Sequence, residues 1–175
     1  IGSFAHTPNV DAVLWFVSDV LPVIHEWVPD LRFHVIGLNP PDEIRDLASD
    51  RVLIEGYLKD VEAQFGRRRL SVAPLRYGSG VKGKINQSMA YGLPCVATPV
   101  AVEGMDLDWE SEIMVAEDPR DFAEAVVEVY ENEALWSTLS ANSNASIERS
   151  FSMQVAKANI VKMLREHGFS SHGLG

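Results

Sequence analysis

The chain has 175 residues, 46% of them hydrophobic and 23% charged, with a formal net charge of −10 and one cysteine, Cys95. Its length fits one domain with a full-sized core, its acidity argues against nucleic acid as a general partner, and a lone cysteine excludes an internal disulfide and suits a reducing cytoplasm. No run of about 20 apolar residues marks a bilayer span, so no transmembrane segment is expected.

Ile1-Gly-Ser-Phe4 reads as the tail of a strand already under way, and the chain is expected to be a piece excised from a longer protein. Thr7 is the candidate N-cap of a first helix, with Pro8 at its first position. Val10, Val13, Leu14 and Val17 recur at helical spacing, so one face packs inward. Pro22 is expected to open a new turn, and the helix to end near Trp27. Residues 31–36 alternate and then become apolar, as a strand does, with Gly37 as its stop. Helix 41–48, strand 52–55, helix 61–66 and strand 70–73 follow. Beyond them come helix 84–91, strand 94–97, an edge strand at 113–116 and a helix over 119–131. Helices at 133–150 and 152–166 complete a domain spanning 1–166, and the Gly- and Ser-rich stretch 167–175 reads as a flexible tail.

Short apolar strands alternating with helices predict an α/β domain. Its parallel sheet is covered on both faces, in a doubly wound, Rossmann-like arrangement. In that architecture ligands bind beyond the carboxyl ends of the strands.

One segment, 74–99, concentrates the chemistry. It reads as strand end, glycine-rich basic loop, helix, tight turn and buried strand. Gly78, Gly80 and Gly83 allow close backbone approach to a ligand. The following helix offers unpaired first-turn N–H groups and the positive end of its dipole. Six of the fifteen Lys and Arg residues (Arg67, Arg68, Arg69, Arg76, Lys82 and Lys84) lie between positions 67 and 84. Arg67 to Arg69 also suit the cap of a helix C-terminus. Arg76, Lys82 and Lys84 surround the loop and predict an anion site for the phosphates of a nucleotide. Neither G-x-x-x-x-G-K-[ST] nor a G-x-G-x-x-G in a first βαβ unit is present, which excludes a P-loop and weakens a dinucleotide reading.

Arg76-x-Gly78-x-Gly80-x-Lys82-x-Lys84, with the strand and helix that flank it, resembles the donor-binding, C-terminal domain of the retaining, GT-B-fold group 1 glycosyltransferases. Gly2-Ser-Phe with Pro8-Asn-Val-Asp11 resembles the opening βα loop of that family. Phe33-His-Val-Ile-Gly37 is similar to its second strand, and Leu53-Ile-Glu-Gly-Tyr57 to the segment framing the nucleobase. Val72-Ala-Pro74 matches the strand before the loop. Met89-Ala-Tyr-Gly-Leu-Pro94 followed by Val96-Ala-Thr98 is similar to the family's most distinctive signature.

The resemblance implies transfer of a sugar, of the hexosyltransferase type, from a nucleotide-diphosphate donor to a carbohydrate or lipid-linked acceptor with retention. The donor is a substrate, and no cofactor or metal is implied. Lys82, with Arg76, is placed as the catalytic cation opposite the leaving diphosphate, where fixed positive charge lowers the barrier. Gly2, Ser3, Gly78, Ser79, Gly80, Val81, Lys82, Lys84 and Gln87 are placed at the donor. The acceptor site is expected in an N-terminal domain that this chain lacks, so the fragment alone is expected to be inactive. A cytoplasmic location is expected, or a peripheral one at the inner membrane face through the missing half.

Four positions depart from the family pattern. Ser79 and Gln87 stand where two glutamates separated by seven intervening residues are usual, and Ser3 and Asn9 where an Arg and a Lys are frequent. Gln87 can bond a ribose hydroxyl without charge. These departures keep open a non-catalytic sugar-nucleotide-binding or interaction domain; a GT-B-like epimerase is a further alternative, against which the missing acids speak. His6 and Glu103 are loop residues that suit either a ligand contact or plain exposure. The remaining histidines have no metal-ligand spacing with one another or with Cys95.

Overall fold

The computed structural model describes residues 1–60, 62–78, 82–151, 161 and 163. Among the described residues, six short strands form two parallel sheets of three. The first contains β1 (Gly2–Ser3), β2 (Phe33–Leu38) and β3 (Val52–Gly56) in that spatial order. The second contains β4 (Ser71–Ala73), β5 (Cys95–Ala97) and β6 (Met114–Val115). Every pairing is parallel. Parallel neighbours require crossovers, and helices supply most of them: α1 (Thr7–Trp15) and α2 (Leu21–Trp27), then α3 (Asp42–Arg45), α4 (Glu62–Phe65), α5 (Lys82–Ala90) and α6 (Pro99–Val102). Two longer helices, α7 (Pro119–Glu131) and α8 (Glu133–Phe151), complete the described fold.

The α1 and α2 segments form one helical arm joined through a π-helical turn, Phe16–Val20. Pro22 lies in the first turn of α2. Its missing N–H and its ring break the regular ladder, and the wider turn absorbs the disturbance. This arm, Thr7–Trp27, is long and apolar enough by length and composition to cross a membrane, which the linear reading of the sequence missed. Its Phe16, Val20 and Ile24 are nevertheless buried at the centre of the main core. There Phe122 of α7 meets Trp15 edge to face, 5.6 Å between ring centroids. A fully buried Phe or Ile contributes about 1.5–3 kcal/mol, enough to account for the arm as a core helix that buries one face. Ile85, Met89, Cys95 and Ile113 anchor a second cluster under α5.

Several boundaries differ from those the sequence predicts. Thr7 is already helical and His6 is the N-cap, because a tight turn closes Ser3 onto the helix: His6 N–H donates to Ser3 O at 3.3 Å. β2 starts at Phe33 because Leu31 N–H turns back to Val28 O. It also runs through Gly37, where a side chain would strike the Gly2 carbonyl and sit 2.7 Å from the Phe4 ring. Gly37 therefore admits β1 rather than ending β2. α5 begins at Lys82, two residues earlier than expected, and α6 was not anticipated. The helix predicted over 152–166 and the tail 167–175 lie outside the described residues, apart from 161 and 163.

The polar residues of α8 hold loops to the second sheet. Ser140 Oγ donates to Gly92 O at 2.6 Å, Asn142 to Ser111 O and Asn144 to Ala90 O, each at 3.0 Å. Glu112, buried, accepts from Ser146 and from Arg149. Burial opposes its ionisation, but the Arg149 guanidinium, the Asp108 N–H and the Ser146 hydroxyl prevail and hold its pKa below the usual carboxylate value.

Candidate functional site

The carboxyl ends of β1 and β4 carry the two loops in which the sequence concentrates its candidates. At β1, Asn9 Nδ2 donates to Ser3 O at 2.8 Å and closes the first loop from inside α1. Asn9 therefore clamps the loop backbone. Ser3 Oγ accepts from Ala5 N–H at 3.4 Å, and His6 is exposed.

After β4 the chain passes through Pro74 and Leu75, both buried, to Arg76, Tyr77 and Gly78. Thr98, at the end of β5, donates its N–H to Ala73 O at 3.2 Å and its hydroxyl to Leu75 O, so the start of this loop is latched to the neighbouring strand. Gly78 has φ of 94°, and a Cβ there would meet Pro8 Cγ at 2.8 Å. Its missing side chain thus seats the glycine-rich loop on the first turn of α1.

Arg76 makes the second contact between the loops. Its Nε donates to Asp11 Oδ2 at 2.9 Å and its Nη2 to Asp11 Oδ1, a two-bonded ion pair. The hydrogen-bonded Asp11 raises the guanidinium pKa further above its usual value. The two loops, far apart in sequence, are joined by Asp11–Arg76 and by Pro8–Gly78.

Ser79, Gly80 and Val81 lie outside the described residues. Lys82 is the first residue of α5, and its side chain is likewise outside the description. The first turn of α5 contains no acid and carries Lys82 and Lys84. Positive charge at that end opposes the helix dipole unless an anion accompanies it. Lys84 is exposed and its Nζ donates to Gln87 Oε1 at 3.3 Å, so Lys84 and Gln87 share one face of the helix. Gly83 is helical with open space around its Cα, so it imposes no backbone requirement.

The other basic candidates go elsewhere. Arg68 donates to Glu55 at 2.9 Å and to Gln64 at 3.0 Å, under a His34–Glu55 pair that links β2 to β3. Arg69 lies over the Trp136 ring, 4.9 Å from its centroid, and donates to Tyr130 O near the end of α7. Arg69 caps α7, the helix distant in sequence, rather than α4. Glu103 is exposed at the C-cap of α6. Among the described residues no group of three or more His, Cys, Asp or Glu could hold a metal ion. Sequence reasoning missed Asp11 as the partner of Arg76, and Pro8 as the floor under Gly78. The only signal for either was their helical phase on one side of α1.

With this geometry in place, comparison with known proteins is informative. The sequence pattern of the family described as "Glycosyl transferases group 1" matches residues 1–132. The fold is similar to the C-terminal domain of the group 1 glycosyl transferase LpcC from Francisella tularensis. That likeness has a TM-score of 0.69 at 15% identity, over 88% of this chain and 85% of that one. It is also similar to Anabaena Alr3699/HepE, solved in complex with UDP and glucose, with a TM-score of 0.72 at 14% identity over 94% of this chain and 47% of that one. An uncharacterized 44.6 kDa protein in the cps region of Klebsiella pneumoniae is 19% identical over 171 residues, 93% of this chain. The chain spans 44% of that curated relative's length.

Proposed function

Because the chain belongs to the group 1 glycosyl transferases, we propose that it is the donor-binding half of a retaining, metal-independent glycosyltransferase of GT-B architecture. The observation that carries this reading is the joining of the first loop to the glycine-rich loop through Asp11–Arg76 and Pro8–Gly78, beside a helix start that carries lysines and no acid. In this reading the backbone of Gly2 and Ser3 faces one side of a diphosphate, and Gly78 with the start of α5 faces the other.

In this reading the diphosphate lies against the α5 N-terminus, where N–H groups and dipole favour negative charge. Lys82 neutralises the charge that grows on the leaving diphosphate as the bond to the anomeric carbon breaks. Ser79, Gly80 and Val81 contribute backbone groups, and Lys84 and Gln87 reach the nucleotide from the next turn. Arg76 acts through the loop it anchors, with its remaining N–H groups turned to the anion. A second, N-terminal domain supplies the acceptor, and catalysis occurs in the cleft between the halves. The complex of the Anabaena protein with UDP and glucose supports the donor class, and the cps-region setting of the Klebsiella relative supports an acceptor in polysaccharide biosynthesis. Work at the cytoplasmic face of the inner membrane follows from the same reading.

Ser79 and Gln87 favour one second reading, a domain that binds sugar nucleotides without transferring the sugar. The test is calorimetry or ligand-observed NMR of the folded chain with UDP, GDP and ADP sugars. The donor reading predicts binding of one of them, weakened roughly 10- to 100-fold by Lys82→Ala. A folded chain that binds none of them overturns it. In the full-length protein, transfer that survives Lys82→Ala unchanged removes the catalytic role of that lysine, and no transfer despite donor binding selects the second reading.

A further inference from the structure

Thr98 stands at the N-cap of α6, yet its side chain makes no capping bond to that helix. A threonine at this place usually accepts an N–H from the first turn. Here the hydroxyl instead donates across to Leu75 O, and it lies 3.5 Å from Ala73 O. Both partners are buried, Thr98 3% and Leu75 2% exposed. The ladder between β4 and β5 ends at the Ala73–Ala97 pair, beyond which Thr98 N–H still bonds Ala73 O. α6 then starts with Pro99, which has no N–H to offer. The Thr98 hydroxyl is the one donor to Leu75 O among the described residues.

Leu75 leads directly into Arg76. The Leu75 C=O and the Arg76 N–H share one trans peptide plane and point in opposite directions. Holding the carbonyl onto Thr98 therefore turns the Arg76 N–H away from β5. That N–H has no hydrogen-bond partner among the described residues. The same peptide fixes where the Arg76 side chain sets out toward Asp11, and two residues on Gly78 rests on Pro8. One buried hydroxyl at the end of β5 thus underlies both contacts that join the two loops.

We propose that Thr98 is a positioning residue for the sugar-nucleotide site. Its hydroxyl orients the Leu75–Arg76 peptide so that the guanidinium reaches Asp11 and the Arg76 N–H is presented to the diphosphate. A backbone N–H already aimed at an anion needs no reorganisation when the ligand arrives. The proposal rests on the donor reading and adds to it a residue that does not itself touch the ligand. A threonine that served only to cap α6 would turn its hydroxyl to that helix, not to a carbonyl of another segment.

The test measures binding of UDP-glucose, GDP-glucose and ADP-glucose to the folded chain by calorimetry. For the one bound best, Thr98→Val, equal in shape but without the hydroxyl, is expected to weaken affinity about 5- to 20-fold. Thr98→Ser should restore the parent affinity. Thr98→Ala leaves room for a water beside Leu75 O; it is expected to weaken binding likewise, and it decides the matter if the valine variant does not fold. Val96→Ala, at a fully buried position of β5, should lower the melting temperature and leave affinity unchanged. Thr98 and Asp11 act on the same arginine, so Thr98→Val combined with Asp11→Asn should lose less than the product of the two single losses. A second measurement needs no ligand. Tryptic cleavage after Arg76, relative to cleavage after Arg51, should accelerate in Thr98→Val and return to the parent rate in Thr98→Ser.

Unchanged affinity in Thr98→Val, an equal loss in Val96→Ala, or losses that multiply overturn the proposal while leaving the donor reading in place. A parent chain that binds none of the three sugar nucleotides overturns the donor reading instead, and the tryptic rates show separately whether Thr98 holds the loop.

Discussion

Arg76 and Asp11 form a two-bonded ion pair across 65 residues of sequence, from the loop after β4 to the second turn of α1. Half of the Arg76 side chain remains exposed, so the pair is worth little to global stability, about 0–1 kcal/mol. Its value is positional. Asp11→Asn is expected to leave the melting temperature within a few degrees of the parent and to weaken sugar-nucleotide binding severalfold. Calorimetry beside a thermal melt checks both. A melt that collapses with Asp11→Asn would assign the pair to the core.

Gly78→Ala addresses the companion contact. The φ of 94° and the 2.8 Å approach to Pro8 both oppose a side chain, so the substitution should cost about 1–3 kcal/mol or detach the loop. Detachment predicts proteolytic cleavage near position 78 and reduced donor affinity, with the α7–α8 half of the protein unchanged in hydrogen exchange. Gly83→Ala, in open helical space, is expected to be neutral or slightly stabilising.

Glu112 carries a pH dependence. Its folded-state pKa is depressed, so its contribution is present above the unfolded value of about 4.5 and is lost as pH falls through the folded value. Glu112→Gln should therefore lower the melting temperature at neutral pH, by the equivalent of about 1–2 kcal/mol. The gap from the parent should close as the pH is taken down below 4. A gap that persists unchanged at acidic pH would mean that packing, not charge, is what Glu112 supplies.

Cys95 is buried in β5, and burial pushes its thiol up to about 11. At neutral pH almost no thiolate exists and access is closed, so native protein should react with thiol reagents far more slowly than denatured protein. Titration with a chromogenic disulfide, with and without denaturant, measures this. Rapid native labelling would show that β5 opens.

Much of the candidate site is legible as local pattern along the chain. The glycines and cations of residues 76–84 and the run from Met89 to Thr98 are local patterns, and local patterns specify turns, helix starts and buried strands. The partners of those residues were not visible. Asp11 looks like one more exposed acid on an amphipathic helix until folding brings Arg76 to it, and Arg69 looks like a cap for α4 until Tyr130 arrives from the end of α7 and Trp136 from the start of α8. Gly37 looks like a strand stop until Gly2 and Phe4 crowd against it. The departure at Gln87 was legible as a residue type, whereas its hydrogen bond with Lys84 follows from helical spacing of three residues.

By itself, the sequence determined the alternation of apolar strands with helices, hence a parallel α/β domain, and it marked the glycine-rich basic loop by composition. Those features depend on near neighbours, through side-chain period, turn chemistry and helix ends. Tertiary structure alone decided that α1 and the glycine-rich loop are joined by Asp11–Arg76 and Pro8–Gly78, and that the apolar arm Thr7–Trp27 turns one face into the main core against α7. Each of these is a contact between segments tens of residues apart. Such contacts exist only once burial of the core has set the separate strands side by side.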